Sequence, residues 1–70
     1  MMLKEAEIGR EYLIKSIETY DEELNTFLFS LGCYEGQTIT IIRALRGGFV
    51  VAIKDARYTI DKALAEAIIV

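Results

Sequence analysis

The chain has no histidine and a single cysteine, Cys33. Neither a general base poised near neutral pH nor an imidazole to activate a thiol is available, so catalysis is not expected. The same inventory excludes thiolate and imidazole metal sets and an internal disulfide. Cys33 follows Gly32 at what reads as a helix C-terminus, the end that disfavours a thiolate, and is expected to act as a small buried hydrophobe. Glu18, Asp21, Glu22 and Glu23 are dense enough to suggest a hard divalent cation, but carboxylates at the start of a helix are explained by its dipole. No metal ligand and no cofactor are therefore assigned. In "LGCYEGQTITII" the pair Gly32 and Gly36 could be mistaken for a phosphate cradle. It follows a helix, however, whereas such loops follow a strand and lead into a helix N-terminus.

What remains is an inventory for binding. Phe29 falls almost opposite the apolar stripe Leu24, Phe27, Leu28 and Leu31 at 100° per residue, and so faces outward with Thr26 and Glu22. An outward phenylalanine either covers a neighbouring loop or marks an interface, where aromatic residues are enriched. Tyr34 in the turn and Phe49 beside a hairpin loop are further candidates for partial exposure. Arg43, Arg46, Lys54 and Arg57 lie on or near the central hairpin and its following turn, and could gather at one end of the domain. A solvated rim is the plainer reading of such charges.

These residues are carried by short elements. "EYLIKSI" (Glu11 to Ile17) has strand composition, but Ile14 and Ile17 are an odd number of positions apart, so a bulge or a strand end must separate them if both are buried. "TYDEELNTFLFSLG" changes to helical period, with Asp21 as N-cap, Glu22 and Glu23 in the first turn, and Gly32 at the left-handed C-terminal position. Gly36 then permits a tight turn into "TITIIRAL", where Ile39 and Ile41 share one face and Thr38 and Thr40 the other. "RGG" reads as a hairpin loop and "FVVAIK" as the partner strand. "KDAR" is a second turn in which Asp55 is expected to take the unusual backbone angles, and "RYTI" is a short strand. Asp61 caps one helical turn, "KALAEA", and "AIIV" closes as a strand with Ile68 and Val70 on one side.

Seventy residues make one domain, 1–70, with a single core. Five short strands in so small a chain are expected to curl into a partly closed, SH3-like small barrel. The α-helix after the first strand packs across one opening, and the short helical turn precedes the last strand. A net charge of −3 and a pI near 4.8 argue against nucleic acid, which selects a concentrated positive face. No apolar run approaches the roughly 20 residues of a membrane span, and "MMLKEAEIG" lacks the apolar centre of a signal peptide. A soluble cytoplasmic chain is expected. Weak self-association through an unpaired strand edge, at Ile69 or the first strand, stays open.

Over nearly its whole length the sequence resembles the FeoA family, the small cytosolic component of bacterial ferrous iron uptake. "LKEAEIG", with Leu3, Ala6 and Gly9, is similar to the family's opening, "YLIKSI" to its first strand and "FLFSLGCYEGQTITII" to its leucine-glycine turn. "ARYTIDKALAEAIIV" resembles its ending. Glu35 stands where members often have proline, Phe27 stands where they often have a basic residue, and "RALRGG" is shorter than hairpins with a proline-containing loop. The resemblance implies an SH3-like domain that contacts the membrane GTPase transporter FeoB on its cytosolic side and modulates ferrous iron import, recruited there to the inner face of the membrane. The face around Phe29, Tyr34, Arg43, Arg46 and Phe49 is the candidate contact. The alternative is a small metal-sensing or ligand-binding regulatory module, using the Glu18 to Glu23 segment or a groove at the barrel edge.

Overall fold

The odd spacing of Ile14 and Ile17 is accommodated by a break: strand β1 (Glu11–Leu13) ends before Ile14, and β2 (Ser16–Ile17) begins after it. The break lets Ile14 turn fully into the core while Ile17 is only partly buried. The structure is a computed structural model that describes residues 1–70. After a 3-10 turn at Leu3–Glu5 and the two strands come helix α1 (Glu22–Ser30), β3 (Thr38–Leu45), β4 (Gly48–Ile53), β5 (Ala56–Asp61), α2 (Lys62–Ala67) and β6 (Ile68–Ile69). The first predicted strand thus becomes two, and the total is six strands. They form an antiparallel sheet in the order β1-β3-β4-β5 and a smaller pair, β2-β6. This is the expected mainly β, SH3-like arrangement, in two sheets and not one closed cylinder.

The core lies against the inner face of the larger sheet. Ile39 and Ile41 from β3, Val51 and Ile53 from β4, and Ile60 from β5 are buried there with Leu3, Leu28 and Ile68. Alternation places these side chains on one face, and Thr38, Thr40 and Ala52 on the other. A bulge between Ile41 and Arg43 interrupts the ladder. Beyond it Arg43, Ala44 and Leu45 are all exposed, so the β3–β4 hairpin tip projects past the core.

Four local expectations need correction. Gly48 belongs to β4 and not to the loop, which is only Arg46 and Gly47. A side chain at Gly48 would fall on the Ile60 carbonyl oxygen, so glycine is required by the close approach of β5. In the β4–β5 turn it is Lys54, at φ 57°, that takes the left-handed conformation, and not Asp55. In the helical stripe only Leu28 is buried; Leu24 and Phe27 are exposed and Leu31 is intermediate. Leu28 is the only fully buried side chain of the nine-residue helix, and Phe27 is half exposed. Finally, Ile69 is no free edge, because it pairs with Ser16 on one side and bridges to Met2 on the other. The free edges of the larger sheet are β1 and β5.

Candidate functional site

Helix α1 begins as its sequence requires: the Asp21 carboxylate accepts from the Glu23 and Leu24 backbone N–H groups at 2.9 and 3.3 Å. It ends in a Schellman motif, with Gly32 N–H donating to the Phe29 carbonyl and Cys33 N–H to the Leu28 carbonyl, both at 2.9 Å. Gly32, at φ 87°, provides the reversal. That reversal has two results. Cys33 is carried into the core with 1% of its surface exposed, and burial pushes its thiol up to about 11. Tyr34 is folded back onto the end of the helix, its ring centroid 4.9 Å from that of Phe29 and tilted by 34°.

The turn between β4 and β5 completes the corner. Its left-handed residue, Lys54, brings the ammonium 5.6 Å from the centre of the Tyr34 ring and donates a 3.4 Å hydrogen bond to the Tyr34 hydroxyl. Gln37 Nε2 donates to the same oxygen at 3.1 Å. The Gln37 and Lys54 hydrogen bonds hold the Tyr34 phenol below its ordinary range. Gly32 leaves room for the lysine stem, since a Cβ there would lie 3.3 Å from Lys54 Cε. Between these groups runs an open groove of about 640 Å³, with Ile53, Asp55, Ala56 and Tyr58 forming the wall opposite Phe29 and Tyr34.

Of the residues singled out from sequence, Phe29 and Tyr34 meet in this groove, with Gly32 beneath them and Gly36, at φ 93°, opening the way into β3. Arg43, Arg46 and Phe49 do not join them. They sit around the β3–β4 tip, at the far end of β4 from the Lys54 turn, about 17 Å away at the rise of an extended strand. Phe49 turns its ring toward the core. The four basic residues therefore do not gather at one end: Arg46 and Lys54 occupy opposite loops, while Arg43 and Arg57 lie on the sheet between them. Lys54 and Tyr58 are groove residues that sequence reasoning did not single out as such, because no local signal places a lysine in the left-handed position.

The acidic segment does not form a cluster. No three His, Cys, Asp or Glu side chains are placed to hold one metal ion, and Asp21 is engaged in capping. Glu18 lines a second groove of about 300 Å³ with Thr19, Leu24, Leu64 and Glu66. Glu66 there is bonded to Lys4 at 2.7 Å, and Asp61, on the same groove, accepts from Leu64 N–H at 2.8 Å to cap α2. No helix is long and apolar enough to cross a membrane.

Known proteins with this architecture place the chain. Iron(II) transport protein A from Clostridium thermocellum superposes with a TM-score of 0.87 at 27% identity, covering 97% of this chain and 43% of that one. This chain thus spans less than half the length of that relative. FeoA of Stenotrophomonas maltophilia, solved with zinc and described as a procaryotic SH3 domain protein, superposes with a TM-score of 0.85 at 15% identity, over 99% of this chain and 87% of that one. A manganese-dependent transcriptional repressor shares the fold over 97% of this chain and 39% of its own, with a TM-score of 0.84 at 21% identity. A comparison with functionally curated proteins yields no significant match. The sequence pattern of the FeoA domain matches residues 1–70, the whole length, and the chain therefore belongs to the FeoA domain family, which is associated with ferrous iron transport.

Proposed function

We propose that this chain is a non-enzymatic accessory protein of ferrous iron uptake that docks on the cytosolic side of a FeoB-like membrane transporter through the Phe29–Tyr34–Lys54 groove. Family membership over residues 1–70 supports the pathway. The observation that carries the docking face is Phe29: 67% of it is exposed, yet its ring packs against that of Tyr34. An exposed aromatic ring already packed on a neighbour loses less conformational freedom when a partner covers it than an isolated one, which suits an interface anchor. The Lys54 ammonium beside it has no carboxylate partner and favours an acidic or carbonyl-rich contact.

The test is an amide NMR titration of labelled protein with the cytosolic GTPase domain of its cognate transporter, and separately with ferrous ion under anaerobic conditions. Shifts at residues 29–34 and 53–58 on adding the GTPase domain, and none on adding iron, are the expected result. Shifts at Glu18 to Glu23 with iron alone would replace this reading with that of a metal-responsive module.

A further inference from the structure

Strand β5 is an edge of the larger sheet, and the two grooves that Ala56, Tyr58 and Asp61 line separate it from helix α1. The six residues of β5 pair with β4 without a bulge, the strand contains no proline, and no strand flanks it on the other side. The β4–β5 loop has two residues, so the closing pair Ile53 and Ala56 exchange both backbone hydrogen bonds and the pattern alternates from there. Ala56, Tyr58 and Ile60 aim their backbone groups at β4, in keeping with the Ile60 carbonyl lying against Gly48. Arg57 and Thr59 aim theirs outward, and neither makes a backbone bond outside the ladder. The side chains of Arg57, Thr59 and Asp61 are exposed, and neither Arg57 nor Asp61 has an ion-pair partner within the chain.

We infer that β5 pairs antiparallel with β5 of a second copy, centred on Thr59, to join two four-stranded sheets into one. Charge selects both the occupant and the register. With Thr59 opposite Thr59, Arg57 of each copy stands opposite Asp61 of the other, on the same sheet face, giving two cross-strand ion pairs. The registers to either side, among those that keep outward-facing backbone groups opposed, lose this match. One sets Asp61 against Asp55 and Arg57 against Thr59, and the other sets Asp61 against Thr59 and carries Arg57 past the end of the partner strand. A strand without an acidic residue at that position would leave Arg57 uncompensated, which is how charged edges resist indiscriminate pairing. Asp61 caps α2 through one carboxylate oxygen only, leaving the other for the arginine. The symmetry is two-fold and closes, so the product is a dimer and not a filament. Six residues a side make a small interface, so the association is weak and transient.

The experiment is a dilution series of the labelled full chain, from millimolar to micromolar, followed by amide shifts and translational diffusion. Concentration-dependent shifts centred on Thr59, with slower diffusion at high concentration, are expected. Thr59→Pro removes the central outward N–H without touching the β4 ladder and abolishes them. Arg57→Asp, which alters only an exposed side chain, weakens association about tenfold. Unchanged shifts and monomeric diffusion up to millimolar concentration would overturn the inference. So would association that survives both substitutions, or that moves residues of β1 or the Phe29 groove instead.

Discussion

Cys33 shows how one side chain's environment sets a pH dependence. Its thiol is almost wholly buried, and desolvation moves it from an ordinary 9.0 to about 11. The folded state therefore keeps a proton that the unfolded state releases between these values, so stability must fall as pH rises from 9 toward 11. The loss reaches about 3 kcal/mol once the window is crossed. Denaturation midpoints of the parent and Cys33→Ala, compared across that window, should converge as pH rises; parallel profiles would show that the thiol does not feel its burial. Gly48 is constrained differently, by the Ile60 carbonyl where a side chain would stand. Gly48→Ala must push β4 from β5 and should cost at least 1–3 kcal/mol, while Gly47→Ala in the adjacent open loop should cost far less by the same denaturation measurement. The sequence shows two adjacent glycines and no means of ranking them, because the difference is made by a strand twelve residues later.

At the scale of elements, what was legible divides along local and non-local lines. The start of α1 at Asp21, its end at Gly32 and the cap at Asp61 were readable because a cap is a contract between neighbours in the chain. The break between Ile14 and Ile17 was readable from parity alone. Which face of α1 is buried was not readable: periodicity reports that Leu24, Phe27, Leu28 and Leu31 share a side, but not how much of the body reaches that side. Only Leu28 is fully buried. The consequence is testable. Leu28→Ala should destabilise by about 2–5 kcal/mol, whereas Phe27→Ala, at a half-exposed position, should stay within about 1 kcal/mol. Asp21→Ala should fall between, at about 1 kcal/mol. Equal losses at positions 27 and 28 in chemical denaturation would mean that the helix sits deeper than its exposed stripe indicates.

At the scale of the whole molecule, the aromatic corner and the arginine-bearing hairpin tip lie at opposite ends of β4. The sequence placed Phe29, Tyr34, Arg43, Arg46 and Phe49 on one face because nothing in it shows which end of a hairpin a helix will reach. The register settles the geometry, since Leu45 faces Gly48 at one loop and Ile53 faces Ala56 at the other. If the transporter docks on the Phe29 groove, substitutions at the two ends act separately, because sites further apart than about 7–10 Å with no shared partners contribute additively. Phe29→Ala should weaken binding of the cytosolic GTPase domain about tenfold, in the range of an interface anchor, while Arg46→Ala should leave it unchanged and the double variant should match Phe29→Ala alone. Lys54→Gly separates docking from folding in the same titration. Glycine relieves the left-handed backbone, which costs a lysine about 1 kcal/mol, while removing the ammonium that flanks Tyr34. That variant should be as stable as the parent or more so, and bind more weakly. Loss of binding at Arg46 with none at Phe29 or Lys54 would transfer the docking face to the hairpin tip, where the bulge after Ile41 already lifts three exposed residues clear of the core.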